Sequence, residues 1–322
     1  MKRKDVFKLF LAFALIGLII FLLYKKGYFS VMENISLFDF SILISLTLLS
    51  YFVAGFQIFY LVKKQNKISL SFADTLLLPI AMSLFSYVIP TNGGLIYSAF
   101  FLKQKYHIHP TKGFSIGIFS VYISLIITGI FGIVFYFFPG NHNAWVLMAS
   151  IILIFLSLII NLVNRIIQRL NLKRFVVLRK LQSYVDRIVI HSNNLIMDKE
   201  TMIVNIVINI VYLILAFVAY EWLNIVVKTD LPLFSVFIIL LITRISSLLR
   251  FLPGNLGLEE LYTAGIFSLL GKDPAIGVIF SLLLRFSTIC LFVPLGILHT
   301  IYNSEPLKLR NLKNILSNNE NK

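Results

Sequence analysis

Apolar residues dominate this chain in blocks, and the blocks have membrane length. Apolar blocks fall at residues 6–24, 38–62, 70–89, 113–138, 144–163, 201–227, 232–249 and 275–302. About 20 apolar residues suffice for a helix to cross a bilayer. Two shorter apolar pieces, 95–102 and 256–270, each follow a Pro/Gly break directly. The pattern predicts an all-α polytopic membrane protein, with about eight spans and two broken or re-entrant segments in an inverted pseudo-repeat.

Composition sharpens this. The chain is 58% hydrophobic and 13% charged, against roughly 45–50% and 25% in soluble domains. Its mean hydropathy is +0.89. A soluble enzyme, a nucleic-acid binder and a disordered scaffold are excluded. The single cysteine, Cys290, rules out an intrachain disulfide framework.

The net charge of +15 reads as topology. Threading the blocks alternately from a cytoplasmic N-terminus puts 21 Lys/Arg in the cytoplasmic segments and 4 in the outer ones. This split follows the positive-inside rule, with both termini cytoplasmic. One domain over residues 1–322 is expected, with a basic amphipathic segment at 164–200. That segment interleaves Arg165, Arg169, Lys173, Arg174, Arg179, Lys180 and Arg187 with apolar positions. It predicts one or two helices on the cytoplasmic surface, attracted to anionic lipid.

The two breaks resemble each other. Ile89-Pro90-Thr91-Asn92-Gly93-Gly94-Leu95 and Leu252-Pro253-Gly254-Asn255-Leu256-Gly257-Leu258 share the pattern aliphatic-Pro-x-Asn-x-Gly-Leu. Proline cannot donate the helical hydrogen bond and glycine is a poor helix former, so each pair stops one helix and starts another. The preceding blocks run in opposite directions. Interrupted segments at matching positions in two halves point to a transporter's substrate site.

Charged residues inside apolar blocks are costly and face a cavity or a partner. Asp74 and Glu221 lie near block ends and are expected at the interface, whereas Arg244 and Arg285 lie deeper. Glu259 and Glu260 open the helix after Gly257, where carboxylates suit the positive helix end. A Glu260–Arg285 pair across the bundle is the sharper expectation. The helix N-terminus and Arg285 would suit a phosphate, and the carboxylates a cationic headgroup. The candidate binding residues are Pro90, Asn92, Gly94, Arg244, Pro253, Asn255, Gly257, Glu259, Glu260 and Arg285.

No P-loop, Gly-x-Ser-x-Gly or Gly-x-Gly-x-x-Gly occurs, and His107-x-His109 has no acidic or cysteine neighbour. Neither an enzyme nor a cofactor or metal site is expected.

The run Pro253-Gly254-Asn255-Leu256-Gly257-Leu258-Glu259-Glu260, then Leu270-Gly271, then Ala275 to Leu284-Arg285, resembles the second signature of the lysylphosphatidylglycerol synthase transmembrane-region family. In words that signature is Pro-Gly-Gly-Leu-Gly-Val-x-Glu, a helix, Leu-Gly, and a helix ending in Arg. Glu260 falls on the Glu and Arg285 on the Arg. Asn255 replaces the middle Gly, and Glu259 takes a position that is often basic. The family's earlier Pro-x-x-x-Gly-Glu-x-x-Arg signature matches Pro90 to Gly94 in part, with Leu95 and Ser98 in place of its charged pair. Members join this membrane region to an aminoacyl-transferase domain or carry it alone. With 19 residues after Asn303, the membrane region alone is expected.

The resemblance implies translocation of a phosphate-containing lipid, such as an aminoacylated phospholipid or a polyprenyl-linked glycan, across the cytoplasmic (inner) membrane. The alternative is a non-transporting scaffold subunit for a lipid- or glycan-modifying enzyme. A membrane-embedded transferase is disfavoured by the missing nucleotide and metal motifs. Expected partners are membrane lipids with anionic or modified headgroups, with a cell-envelope enzyme and a second copy of the chain left open, and no nucleic acid.

Overall fold

A computed structural model describes residues 35–89, 93–137, 144, 146–156, 176–248 and 252–303. The first apolar block, Pro90, Asn92, Arg250 and the basic residues 165–174 lie outside the described residues.

The described residues are almost entirely helical. They are α1 (Leu37–Asn66), α2 (Phe72–Val88), α3 (Gly93–Tyr106) and α4 (Pro110–Tyr136). Next come α5 (Val146–Leu156), α6 (Val176–Met197), α7 (Lys199–Val226) and α8 (Leu233–Leu248). A tight turn at Pro253–Asn255 leads to α9 (Leu258–Leu269) and α10 (Pro274–Leu291). A π-turn at Phe292–Gly296 then continues α10 into α11 (Ile297–Tyr302). Among the described residues, four stretches are long and apolar enough to span a bilayer: α1, α4, α7 and the run Pro274–Tyr302. Shorter apolar helices run at Phe72–Tyr87, Val146–Leu156 and Leu233–Ser246. This is a multi-pass membrane protein.

Local chemistry sets the helix starts. Ser36 accepts from Asp39 N and Ser71 from Asp74 N, each side-chain oxygen capping the first turn. Asp273 caps α10 ahead of Pro274, whose missing N–H costs nothing at the first helical position.

The α7 helix shows how the surroundings invert soluble logic. Ile203, Val207, Val211, Ile214 and Val218 recur at helical spacing along its exposed face. Thr201, Asn205 and Asn209 are buried on the other. Asn205 meets Gln57 of α1, whose Nε2 donates to it at 3.1 Å. An apolar outside around a hydrogen-bonded inside fits lipid as the solvent. Small residues bring helices close where lipid gives no hydrophobic drive. Gly277 of α10, for instance, lies so near α9 that an added Cβ would fall 2.8 Å from Thr263 O.

The contacts fix how the helices run. Lys64, at the end of α1, reaches Asp198 at 3.3 Å and Glu200 at 2.5 Å, at the start of α7. Trp222, near the end of α7, donates to Asp39 O in the first turn of α1. These two helices are antiparallel. So are α2 and the α10–α11 helix: Asp74 meets His299, and thirteen residues on Tyr87 meets Arg285. One end of the bundle gathers Lys64, Lys105, His109 and Lys112, and we refer to it as the basic end.

Within the expected 164–200 segment, α6 is helical as anticipated and packs on α4. Its Val189, Ser192 and Leu195 are buried, while Tyr184, Arg187, Ile190 and Met197 are exposed. The segment's last two residues, Lys199 and Glu200, belong to the first turn of α7.

Candidate functional site

The second break begins where α8 stops. Gly254 and Asn255 both take left-handed backbone, with φ of 58° and 51°, and Gly257 follows at 83°. Glycine adopts this region freely, and asparagine more readily than other residues. Asn255 earns its conformation through its side chain, whose Nδ2 donates to Ser246 O at 3.0 Å and so ties the turn to α8. Gly254 has a second constraint: an added Cβ would lie 2.5 Å from the Tyr87 ring.

Arg285 holds the turn from α10. Its Nη1 donates to Gly254 O at 3.0 Å and its Nη2 approaches Asn255 O at 3.5 Å. Nη2 also donates to Glu259 Oε2 at 2.8 Å. Nε lies 2.8 Å from Glu260 Oε1, an ion contact without hydrogen-bond alignment. The expected Glu260–Arg285 pair is therefore present, and Glu259 joins it. Arg285 and Glu260 are buried, whereas the Glu259 side chain is 34% exposed. Tyr87 faces the guanidinium at 5.7 Å, a cation–π contact.

Glu260 does a second thing. Its Oε2 accepts from Gly257 N at 2.8 Å, so the carboxylate folds back over the start of its own helix. The anion at that N-terminus is the protein's own. This revises the expectation of a phosphate seated there: the nearest N–H and the guanidinium are both engaged by protein groups.

The first break is built differently. Residues 90–92 lie outside the described residues, but α3 starts at Gly93 and doubles back along α2. Gly94 N donates to Ser86 Oγ at 3.1 Å. Added Cβ atoms on Gly93 and Gly94 would fall 2.4 Å from Phe85 O and Met82 O. No larger residue allows so close a return. Of the candidates here, Gly94 is placed by the structure, and it is neutral.

The two breaks meet at one cavity of about 500 Å³, lined by Gly94 and Leu95 of the first and by Gly254, Asn255 and Glu259 of the second. A second cavity of about 300 Å³ shares Tyr51, Ser83, Tyr87, Tyr212, Glu259 and Thr288 with it and adds Arg244 and Arg285. Arg244, expected deep in its block, stacks on the Tyr212 ring at 4.8 Å. Of the other candidates, Pro253 opens the turn and Gly257 caps α9. Depth follows from helix rise: Arg285 lies fourteen residues before His299, which is about 20 Å from the basic end. The first break is approached by α2 from the basic end and the second by α8 from the opposite end.

Sequence reasoning missed one cluster. Asp74, expected at an interface, sits in the first turn of α2 but is buried. It pairs with Lys105 at 2.7 Å and lies 3.3 Å from His299 Nε2. It also accepts from Ser71 Oγ at 2.7 Å and from the Tyr106 hydroxyl. Its partners lie 31 and 225 residues away, and no local pattern marks such a pairing.

The family model for the Lysylphosphatidylglycerol synthase TM region matches residues 6–296, and the chain belongs to this family. No curated protein and no solved structure matches it.

Proposed function

We propose that this protein carries a phosphate-containing lipid headgroup across the cytoplasmic membrane through the cavity between its two breaks. The observation that carries the reading is the meeting of both breaks on one largely apolar cavity that carries polar groups, beside the Arg285–Glu259–Glu260 cluster and inside an apolar helix bundle. A headgroup needs such a lining; acyl chains can stay in the bilayer. Tyr51, Ser86 and Tyr212 place hydroxyls in the cavity lining, and Arg244 and Arg285 line the adjoining second cavity. Tight binding is not required, because a carrier must also release.

On this reading the two hairpins form an inverted pseudo-repeat, one opening from each side. The basic end faces the cytoplasm, following the positive-inside rule. The count of about eight spans comes from the apolar blocks of the sequence, of which the first lies outside the described residues.

The test is translocation of fluorescent phospholipids by the reconstituted protein, read as headgroup accessibility. Glu260→Gln and Arg285→Gln are each expected to slow transfer at least tenfold, about 1.4 kcal/mol. Unchanged transfer in both would sink the site assignment.

The exposed Tyr184, Arg187, Ile190 and Met197 of α6 support a second reading, a scaffold for a cell-envelope enzyme. It predicts a pull-down partner lost when Arg187 and its basic neighbours are neutralised, together with no lipid transfer by the purified protein.

A further inference from the structure

Three elements meet at the basic end: the last turn of α3, the start of α4, and α6. Each brings basic side chains. Lys103 lies in the last turn of α3, His109 caps α4 and Lys112 sits in the first turn of α4. Arg187 and His191 lie one turn apart on α6. The Tyr184 ring stands 6.3 Å from that of His109, which places α6 beside the start of α4. None of Lys103, His109, Lys112, Arg187 and His191 lines either cavity.

The cluster carries no matching acid. None of the ion pairs among the described residues includes Lys103, Lys112 or Arg187, or Asp186 next to Arg187. The cations act on the imidazoles instead. Burial, then Arg187, Lys103, His191 and Lys112, lowers the His109 pKa below its usual value. Burial, Lys112 and Arg187 do the same to His191. At neutral pH the cluster is therefore three cations and two neutral rings, each ring with an N–H to donate. Holding like charges together costs stability, and an anion placed among them recovers it.

Depth selects the kind of anion. At about 1.5 Å per residue, the 27 residues of α4 run about 40 Å. The hydrocarbon core is about 30 Å thick. The basic start of α4 is the end that stands among the headgroups. Tyr184 and Ile190 of α6, on either side of Arg187 in the sequence, are exposed and give acyl chains an apolar rest beside the cations.

We propose that Lys103, His109, Lys112, Arg187 and His191 form a headgroup site for an anionic phospholipid, separate from the cavity between the breaks, that clamps α6 onto α3 and α4. The phosphate oxygens accept from ammonium, guanidinium and imidazole N–H groups alike. This is more than the pull of a basic segment on an anionic surface, because three of the five residues come from outside α6. The site does not depend on which molecule the cavity carries.

Hydrogen–deuterium exchange of the full chain in nanodiscs tests this, with phosphatidylcholine alone compared with phosphatidylcholine containing phosphatidylglycerol. Exchange across residues 184–192 is expected to slow about tenfold with phosphatidylglycerol, because a ligand of the closed form depletes the open one. Lys112→Gln combined with Arg187→Gln is expected to abolish that difference, and Lys112→Arg with Arg187→Lys to keep most of it. Arg169→Gln with Arg174→Gln removes as much charge from the basic run that precedes α6 in the sequence, and is expected to leave the difference intact. Glycerol 3-phosphate added to phosphatidylcholine nanodiscs is expected to slow nothing. Equal exchange in the two lipid mixtures, or equal loss in the two neutralised pairs, would overturn the site. Slowing by glycerol 3-phosphate would make it a site for free phosphate esters and overturn the lipid. Lipid transfer is not read in this experiment, so its outcome stands apart from that of the transport assay.

Discussion

The two hairpins answer one physical problem in different ways. Each stops a helix inside the bundle and must satisfy the backbone groups that are freed. The second does it with charge: a buried guanidinium takes the carbonyl of Gly254, and two carboxylates balance it. The described part of the first does it with size, through glycines that let α3 lie against α2 and one hydroxyl, Ser86, that takes Gly94 N. Its charges stand at the other end of the hairpin, around Asp74 and Lys105. A similar run of residues can thus start two breaks whose stability comes from different sources.

The largest expected effect breaks the charged hairpin alone. Arg285→Met leaves Glu260 buried with its ion partner gone, which costs about 3–5 kcal/mol. The thermal midpoint in detergent should fall sharply, with Arg285→Lys intermediate. Gly254→Ala comes next. It forces a side chain into left-handed backbone, a cost of about 1–3 kcal/mol, and presses on Tyr87. Combining it with Tyr87→Ala should recover part of the loss. The smallest effect belongs to the neutral hairpin: Ser86→Ala removes one hydrogen bond, about 0.5–1.5 kcal/mol. Denaturation midpoints that put Ser86→Ala level with Arg285→Met would erase the distinction between the two breaks.

Much of this was legible from the chain. Proline and glycine inside apolar blocks announce themselves, and an arginine with ten apolar or small neighbours on either side must find a partner. Hence the breaks, their following helices and the Glu260–Arg285 pair were all expected, and the family resemblance is confirmed by the match over residues 6–296. What stayed hidden depends on three-dimensional closure. Glu259 and Glu260 are adjacent, and only the approach of α10 decides that both reach Arg285. That Glu260 also covers Gly257 N follows from the backbone at the turn. Asp74 read as interfacial because it lies near a block end; its burial arises from Lys105 and His299, brought in by other helices. Arg244 gave no hint of Tyr212 as its neighbour, since aromatic rings are common throughout the chain.

The π-turn at Phe292–Gly296 has a consequence for how this molecule can change over generations. It lies between Arg285 and His299 on what is otherwise one rod. A π-turn holds one residue more than the regular helix would, and one residue rotates everything beyond it by about 100°. The face that α10 shows the cavity and the face that α11 shows Asp74 are therefore set in separate phases. Losing one residue within 292–296 would swing His299 away from Asp74 while leaving Arg285 where it is. A lineage could in this way discard or acquire the contact between His299 and Asp74 through a single codon, without disturbing the centre of the membrane.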